Sequence, residues 1–175
     1  MAAEDCSEFT GFEPNICDII ASGIDDAFFS PYNKLTVWSA DTIGRIGSAT
    51  TEAPVWVNCY IDPNLSKLDE NLISNADFKS LDMEQSFELV FLGQSQEARN
   101  AMNQLMRGRW RIAVKAKSGE WICFGKNKGL RASAGKGTTS AKGGEESSLR
   151  LTFTTQAGPA YAPTFGAQYV SDWFE

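Results

Sequence analysis

Between Phe87 and Phe153 the spacing of apolar positions changes period twice. Phe87, Leu89 and Phe91 point to one side of a predicted strand, and Glu88, Val90 and Leu92 to the other. From Ser95 to Met106 the period becomes helical: Ala98, Ala101, Met102, Leu105 and Met106 form one stripe, with Arg99, Asn100 and Gln104 away from it. Ser95 suits an N-cap, Glu97 places a negative group in the first turn, and Arg107-Gly108 closes the helix. A helix this short does not persist alone, so its stripe is expected to pack across a sheet. Period two then returns. Trp110, Ile112, Val114 and Ala116 share one face of a strand, and Arg111, Ala113 and Lys115 share the other, which is expected to be partly wet. Lys117-Ser118-Gly119 connects this strand tightly to Trp121–Phe124 and makes the strongest hairpin signal in the chain. Leu149, Leu151 and Phe153 repeat the pattern of one buried face.

The flanking segments are less regular. Ile19 to Phe29 is compatible with a helical stripe of Ile24, Ala27 and Phe28, or with a first strand opening at Gly23-Ile24-Asp25. Leu35–Ser39 and Ala53–Ile61 have strand composition, the latter lying between Pro54 and Pro63, and Ile43–Gly47 reads as a turn-rich link. Asn64 to Met83 is polar with isolated Leu65, Leu68, Leu72, Phe78 and Leu81, and reads as a long excursion with short helical turns, a place to look for an assembly contact. A strand is expected over Gly129–Ser133. Ala134 to Ser148 has no aliphatic residue larger than alanine and is expected to be a flexible loop. The chain thus divides into an arm or cover over 1–22, a domain over 23–156 with its helix at 95–106, and a tail over 157–175. The aromatic load of that tail implies docking on its own or a neighbouring subunit.

Composition narrows the function classes. A chain of 175 residues with 42% hydrophobic content, eleven Phe and five Trp can bury a substantial core. Sixteen Lys and Arg against 22 Asp and Glu leave a net charge of -6, a poor balance for a general nucleic-acid binder. Locally, Lys115, Lys117, Lys126, Lys128, Arg131, Lys136 and Lys142 are basic. They read either as solvated strand faces and loops or as a contact for nucleic acid or an acidic partner. With the rest of the chain acidic, head-to-tail stacking is one form that contact could take. The opening Met-Ala-Ala-Glu-Asp-Cys has no signal-peptide blocks and no stretch has the length of a membrane anchor, so a reducing cytoplasm is the expected site of synthesis.

Candidate chemistry is sparse. Histidine is absent, which removes Ser–His–Asp and Cys–His arrangements. Cys6, Cys17, Cys59 and Cys123 have no Cys-x-x-Cys spacing; Cys59 and Cys123 read as small buried hydrophobes, and Cys6 and Cys17 could lie close together, although a disulfide is not the first expectation in a reducing cytoplasm. The pairs Asp25–Asp26, Asp69–Glu70, Asp82–Glu84 and Glu145–Glu146 sit in polar contexts suited to solvated charge. Gly129 to Gly137 superficially resembles a phosphate loop, but five residues separate Gly129 from Gly135 where four are required, and Gly137 stands where a Ser or Thr would hold magnesium. These observations predict a non-enzyme, with no catalytic, cofactor-binding or metal-binding residue and no cofactor. A sheet carrying a helix on one face leaves edges and loops as its exposed features, which points to self-assembly or binding.

Phe91-Leu-Gly-Gln-Ser-Gln, the helix ending Leu105-Met-Arg-Gly-Arg109, the Trp110–Phe124 hairpin, Gly129-Leu-Arg-Ala-Ser133 and Ser148-Leu-Arg-Leu-Thr-Phe153 together resemble tail tube subunits of phages and prophages of Bacteroidetes-type bacteria. Cys17 followed by Gly23-Ile24 resembles their opening, and the similarity runs from about Cys17 to Pro163. The resemblance implies a β-sandwich or β-barrel with one flanking helix, a homohexameric ring, and rings stacked into a virion tail tube that DNA crosses without specific binding, along a lumen that is often acidic. It also implies sheet-edge pairing between subunits, contact with other tail proteins, and Asn64–Met83 or Ala134–Ser148 as the loop reaching the next ring. Two alternatives stand beside it. One is a tail terminator, connector or other minor virion protein that forms a single ring. The other is a protein- or carbohydrate-binding β-sandwich with Trp121, Tyr161 and Trp173 as an aromatic shelf.

Overall fold

The switch to helical period at Ser95 is reproduced in three dimensions. A computed structural model describes residues 23–51, 53–74, 81–93, 95–138, 147–156, 158, 160–166, 169–170 and 174. Their elements are β1 (Ile24–Pro31), β2 (Val37–Ala40), β3 (Ile46–Thr51), β4 (Val57–Cys59), β5 (Lys67–Ser74), β6 (Leu81–Leu92), α1 (Gln96–Arg107), β7 (Arg109–Ala116), β8 (Trp121–Phe124), β9 (Leu130–Thr138) and β10 (Ser148–Gln156). The Ser95 hydroxyl accepts the Ala98 amide at 3.1 Å and caps the helix. At the other end the Trp110 indole donates to the Leu105 carbonyl at 2.8 Å, satisfying one of the last-turn acceptors.

The fold is mainly β, sandwich-like, with one flanking helix. Eight strands pair in the order β4-β1-β7-β9-β10-β6-β5, with β8 beside β7, while β2 and β3 form a second sheet. Strand β7 turns the corner between layers. Its first residues, Arg109 and Trp110, pair with β9, and Ile112 to Lys115 pair with β8. The sheet then folds over itself, so that Phe29 of β1 meets Phe153 of β10 and Phe87 of β6, with ring centroids 5.6 and 6.1 Å apart. Around these rings lie Leu89, Ile112, Val114, Phe124, Leu130 and Leu151, all buried. Met102 and Leu105 of the helical stripe join the same core, whereas Met106 is largely exposed.

Several expectations from sequence need correction. Of the two readings left open for Ile19–Phe29, the strand opening at Gly23-Ile24-Asp25 is the one found, as β1, while residues 19–22 lie outside the described residues. Within Asn64–Met83, Lys67–Ser74 is not an excursion with helical turns but strand β5, paired with β6 from Lys67↔Glu88 to Ser74↔Leu81, and residues 75–80 lie outside the described residues. The hydrophobic signal of β5 was weak because it is a terminal strand with little to bury. Ala134–Ser148 is not loop throughout, since β9 continues to Thr138 against β10. Gly135 and Gly137 lie opposite Leu151 and Leu149, whose side chains come within 3.4 and 3.2 Å of where a Cβ would stand. Backbone pairing and borrowed leucines thus replace the side chains β9 lacks. Ala53–Ile61 contributes only Val57–Cys59 to the sheet. Within Ile43–Gly47, a turn is held by the Asp41 carboxylate accepting the Ile43 and Arg45 amides, but Ile46 and Gly47 begin β3.

The largest correction concerns the second face of β7. Arg111 and Ala113 are buried, not wet, at 2% and 0% exposure. A second cluster covers them: Ala113, Trp121, Cys123, Ile46 and Phe165 are buried, with Trp38, Trp56, Val170 and Phe174 packed on top. The carboxyl-terminal segment supplies this cover and also backbone pairing. Cys123 donates to the Pro163 carbonyl and Phe165 to that of Trp121, both at 2.9 Å. On its other side Ile46 donates to Thr164 at 2.8 Å and Gly166 to Ile46 at 2.9 Å. Residues 163–166 therefore join the small sheet to the free side of β8. The proposed arm over 1–22 lies outside the described residues.

Candidate assembly surface

The groups singled out in the sequence do not converge on one site. Asp25 and Asp26 lie at a bulge in the first residues of β1. Glu70 accepts the Ala162 amide at 2.7 Å and the Gln85 side chain at 3.2 Å, and Asp82 accepts the Gly158 amide at 2.6 Å. These carboxylates anchor the tail. Buried Gln85 extends the anchor by accepting the Gly125 amide at 3.1 Å. Gly125 has φ of 70°, and a Cβ there would lie 2.9 Å from the Trp110 carbonyl oxygen, so the turn after β8 requires glycine. Glu145 and Glu146 lie outside the described residues. Among those described, no three His, Cys, Asp or Glu side chains are grouped as metal ligands.

The phosphate-loop-like run is a strand, since Gly129 ends a turn and Leu130 to Thr138 is extended as β9. The aromatic shelf is not assembled either. Trp121 is buried with its ring stacked on Phe174 at 4.2 Å, Tyr161 is 72% exposed, and Trp173 lies outside the described residues. Cys59 and Cys123 are free thiols, whereas Cys6 and Cys17 are not described. Burial pushes the Cys59 thiol up to about 11 and the Cys123 thiol up to about 12. Both values lie above that of an unfolded thiol, so the fold favours the neutral form. That contribution is complete below about pH 8.5 and is lost as pH rises toward the two folded values. Urea midpoints should accordingly fall between pH 9 and 11, and less steeply in Cys123→Val; alkylation of Cys123 at pH 8 should require unfolding.

The basic residues separate by position along β7. Lys115 and Lys117 sit at its far end, the former 5.8 Å from the Trp121 ring centroid. Lys128 and Arg131 sit at the near end, where Lys34 and Arg109 join them from elsewhere in the chain. Sequence clustering could not have placed Lys34 there.

The exposed sheet borders are the remaining feature. Strands β4 and β5 end the eight-stranded path, and among the described residues neither pairs on its outer side. Aliphatic side chains crowd both borders. Val55 and Val57 are 73% and 60% exposed beside β4, and Leu72, Ile73 and Leu81 are exposed on the β5–β6 ladder. That ladder continues past the last β10 pair, Gln156↔Glu84, as far as Ser74↔Leu81. An unpaired border with exposed aliphatic side chains is a template for another chain.

No family model matches this chain, and no curated protein sequence matches it significantly. Among the described residues no helix is long and apolar enough to cross a membrane.

Proposed function

We propose that the protein is a structural subunit of a phage tail tube, forming hexameric rings that stack into a conduit for DNA. The observation that carries this reading is the pair of open borders at β4 and β5, each flanked by exposed aliphatic residues. Pairing one subunit's β5 border with the next subunit's β4 border would continue the sheet around a ring and convert an aggregation hazard into an interface. The resemblance of Phe91–Phe153 to tail tube sequences supports the same assignment. In this reading the side chains perform no reaction, and the wall guides a polyanion without holding it.

Negative-stain imaging and light scattering across a concentration series test the assignment. Stacked tubes are the expected result. Isolated rings that never stack would point instead to a terminator or connector, and a monomer at every concentration would overturn self-assembly altogether.

A further inference from the structure

The end of the molecule that holds Lys128 and Arg131 carries a concave cationic surface. A groove of about 440 Å³ opens there, lined by Lys34, Arg109, Lys128 and Arg131 together with Tyr32 and Thr154. No carboxylate lines it, and among the described residues none of the four cations forms an ion pair. Its floor is built rather than accidental. The Tyr32 hydroxyl donates to the Asn127 carbonyl at 2.6 Å, and a Cβ at Gly129 would lie 2.9 Å from the Tyr32 side chain. Buried Arg111 ties the two turns together, donating to the Asn33 carbonyl at 2.7 Å and the Lys126 carbonyl at 3.3 Å. Its guanidinium lies 4.7 Å from the Tyr32 ring centroid, adding positive charge beneath the groove.

The complement of this surface is in the same chain. Residues 1–22 contain Glu4, Asp5, Glu8, Glu13 and Asp18 and no Lys or Arg, so they carry most of the net charge of -6. They join the fold at Gly23, where the Lys117 amide donates to the Gly23 carbonyl at 3.1 Å. Gly23 and Tyr32 flank opposite ends of β1, about 30 Å apart at ~3.3 Å for each residue step. Five residues beyond Gly23 span at most ~17 Å, so Asp18 falls short of its own groove, whereas the ten residues back to Glu13 span up to ~35 Å, so chain length by itself keeps only Asp18 from it. A copy placed end to end brings its groove to the Gly23 end, within reach of all five carboxylates.

We propose that the groove receives the acidic segment Glu4–Asp18 of a second copy of the chain. This rests on the ring-stacking reading and names the contact between successive rings. The groove lies at one end of the subunit and the segment leaves from the other. The contact is therefore heterologous and adds copies in one direction without closing.

Carbodiimide cross-linking of the full chain, using a mixture of ¹⁴N- and ¹⁵N-labelled protein, tests the proposal. The expected products join Glu4, Asp5, Glu8 or Glu13 to Lys34 or Lys128 in pairs of mixed isotope. Lys128→Glu with Arg131→Glu should remove these products and weaken stacking ~10-fold or more, leaving single rings. Combining that variant with Glu8→Lys and Glu13→Lys should restore part of the loss, which general damage to the fold would not. Cross-links confined to same-isotope pairs would overturn the proposal, because the segment would then fill its own groove. Normal stacking by the groove variant would also overturn it while leaving the tube assignment standing. If a single-stranded oligonucleotide binds the wild-type groove and no segment cross-link forms, the surface is a nucleic-acid site and the proposal falls. A protein that is monomeric throughout removes both readings together.

Discussion

Ile112→Asp is expected to leave no folded protein at room temperature. Ile112 is fully buried at the centre of a three-strand row, opposite Phe29 on one side and Phe124 on the other. Removing the side chain from the core forfeits about 1.5–3 kcal/mol of apolar transfer. The larger cost is electrostatic, because a carboxylate at this point is surrounded by Phe29, Val114, Phe124 and Leu130 with no cation among them. Burying an unpaired charge costs several kcal/mol, or protonation of the group at a comparable cost. Against a total stability of about 5–15 kcal/mol the combined loss is decisive. Far-ultraviolet circular dichroism and urea denaturation provide the measurement. Ile112→Val, which only shortens the side chain, should cost about 0.5–1.5 kcal/mol and remain folded. A folded Ile112→Asp protein of normal urea midpoint would mean that the two layers do not close over this row.

Lysine at both Val57 and Leu72 should have the opposite profile: unchanged stability and no assembly. Both side chains are about 60% exposed, at 60% and 62%, on strands at the two ends of the sheet path. Exposed substitutions of this kind typically shift stability by no more than about 0.5 kcal/mol. At a border shared by two copies, however, each lysine removes apolar contact and sets a charge against a desolvated surface. Charged residues on edge strands are the ordinary means by which monomeric sheets avoid pairing. Association is expected to weaken by at least ~100-fold, measured by sedimentation velocity alongside thermal melts. Equal assembly by the variant and the parent would place the contacts elsewhere.

The contrast between these two substitutions follows from how much of each region was legible in sequence. Around Ile112 the alternation Trp110, Ile112, Val114, Ala116 was clear because that face meets one continuous core. The same holds for Phe87–Phe91, Leu149–Phe153 and the Ser95-capped helix, where burial imposes a period and the cap supplies an acceptor within three residues. Strands β5 and β9 were missed for opposite reasons. On β5 the side chains are mostly exposed at a terminal position, so burial imposes no alternation. On β9 the chain uses alanine and glycine because Leu149 and Leu151 occupy the space that its own side chains would take. Neither pattern registers as apolar periodicity, although β5 pairs with β6 along its whole length and β9 with β10 from Arg131 to Thr138 except at one irregularity.

Local sequence determined where the chain alternates, where it turns helical and which aromatic residues were available to fill a core. It also determined the absence of histidine and the charge imbalance between residues 1–22 and the rest. Tertiary structure alone decided that β7 is covered on both faces, since Arg111 looks solvated until Tyr32 and Trp38 close over its guanidinium. It decided that Trp121 lies beneath Phe174 instead of in solvent. It also gathered Lys34, Arg109, Lys128 and Arg131 from three distant stretches of chain into one groove. Periodicity reports burial against a neighbour in sequence-regular elements, whereas cover by a distant segment and convergence of charge depend on long-range pairing, which leaves no local period to read.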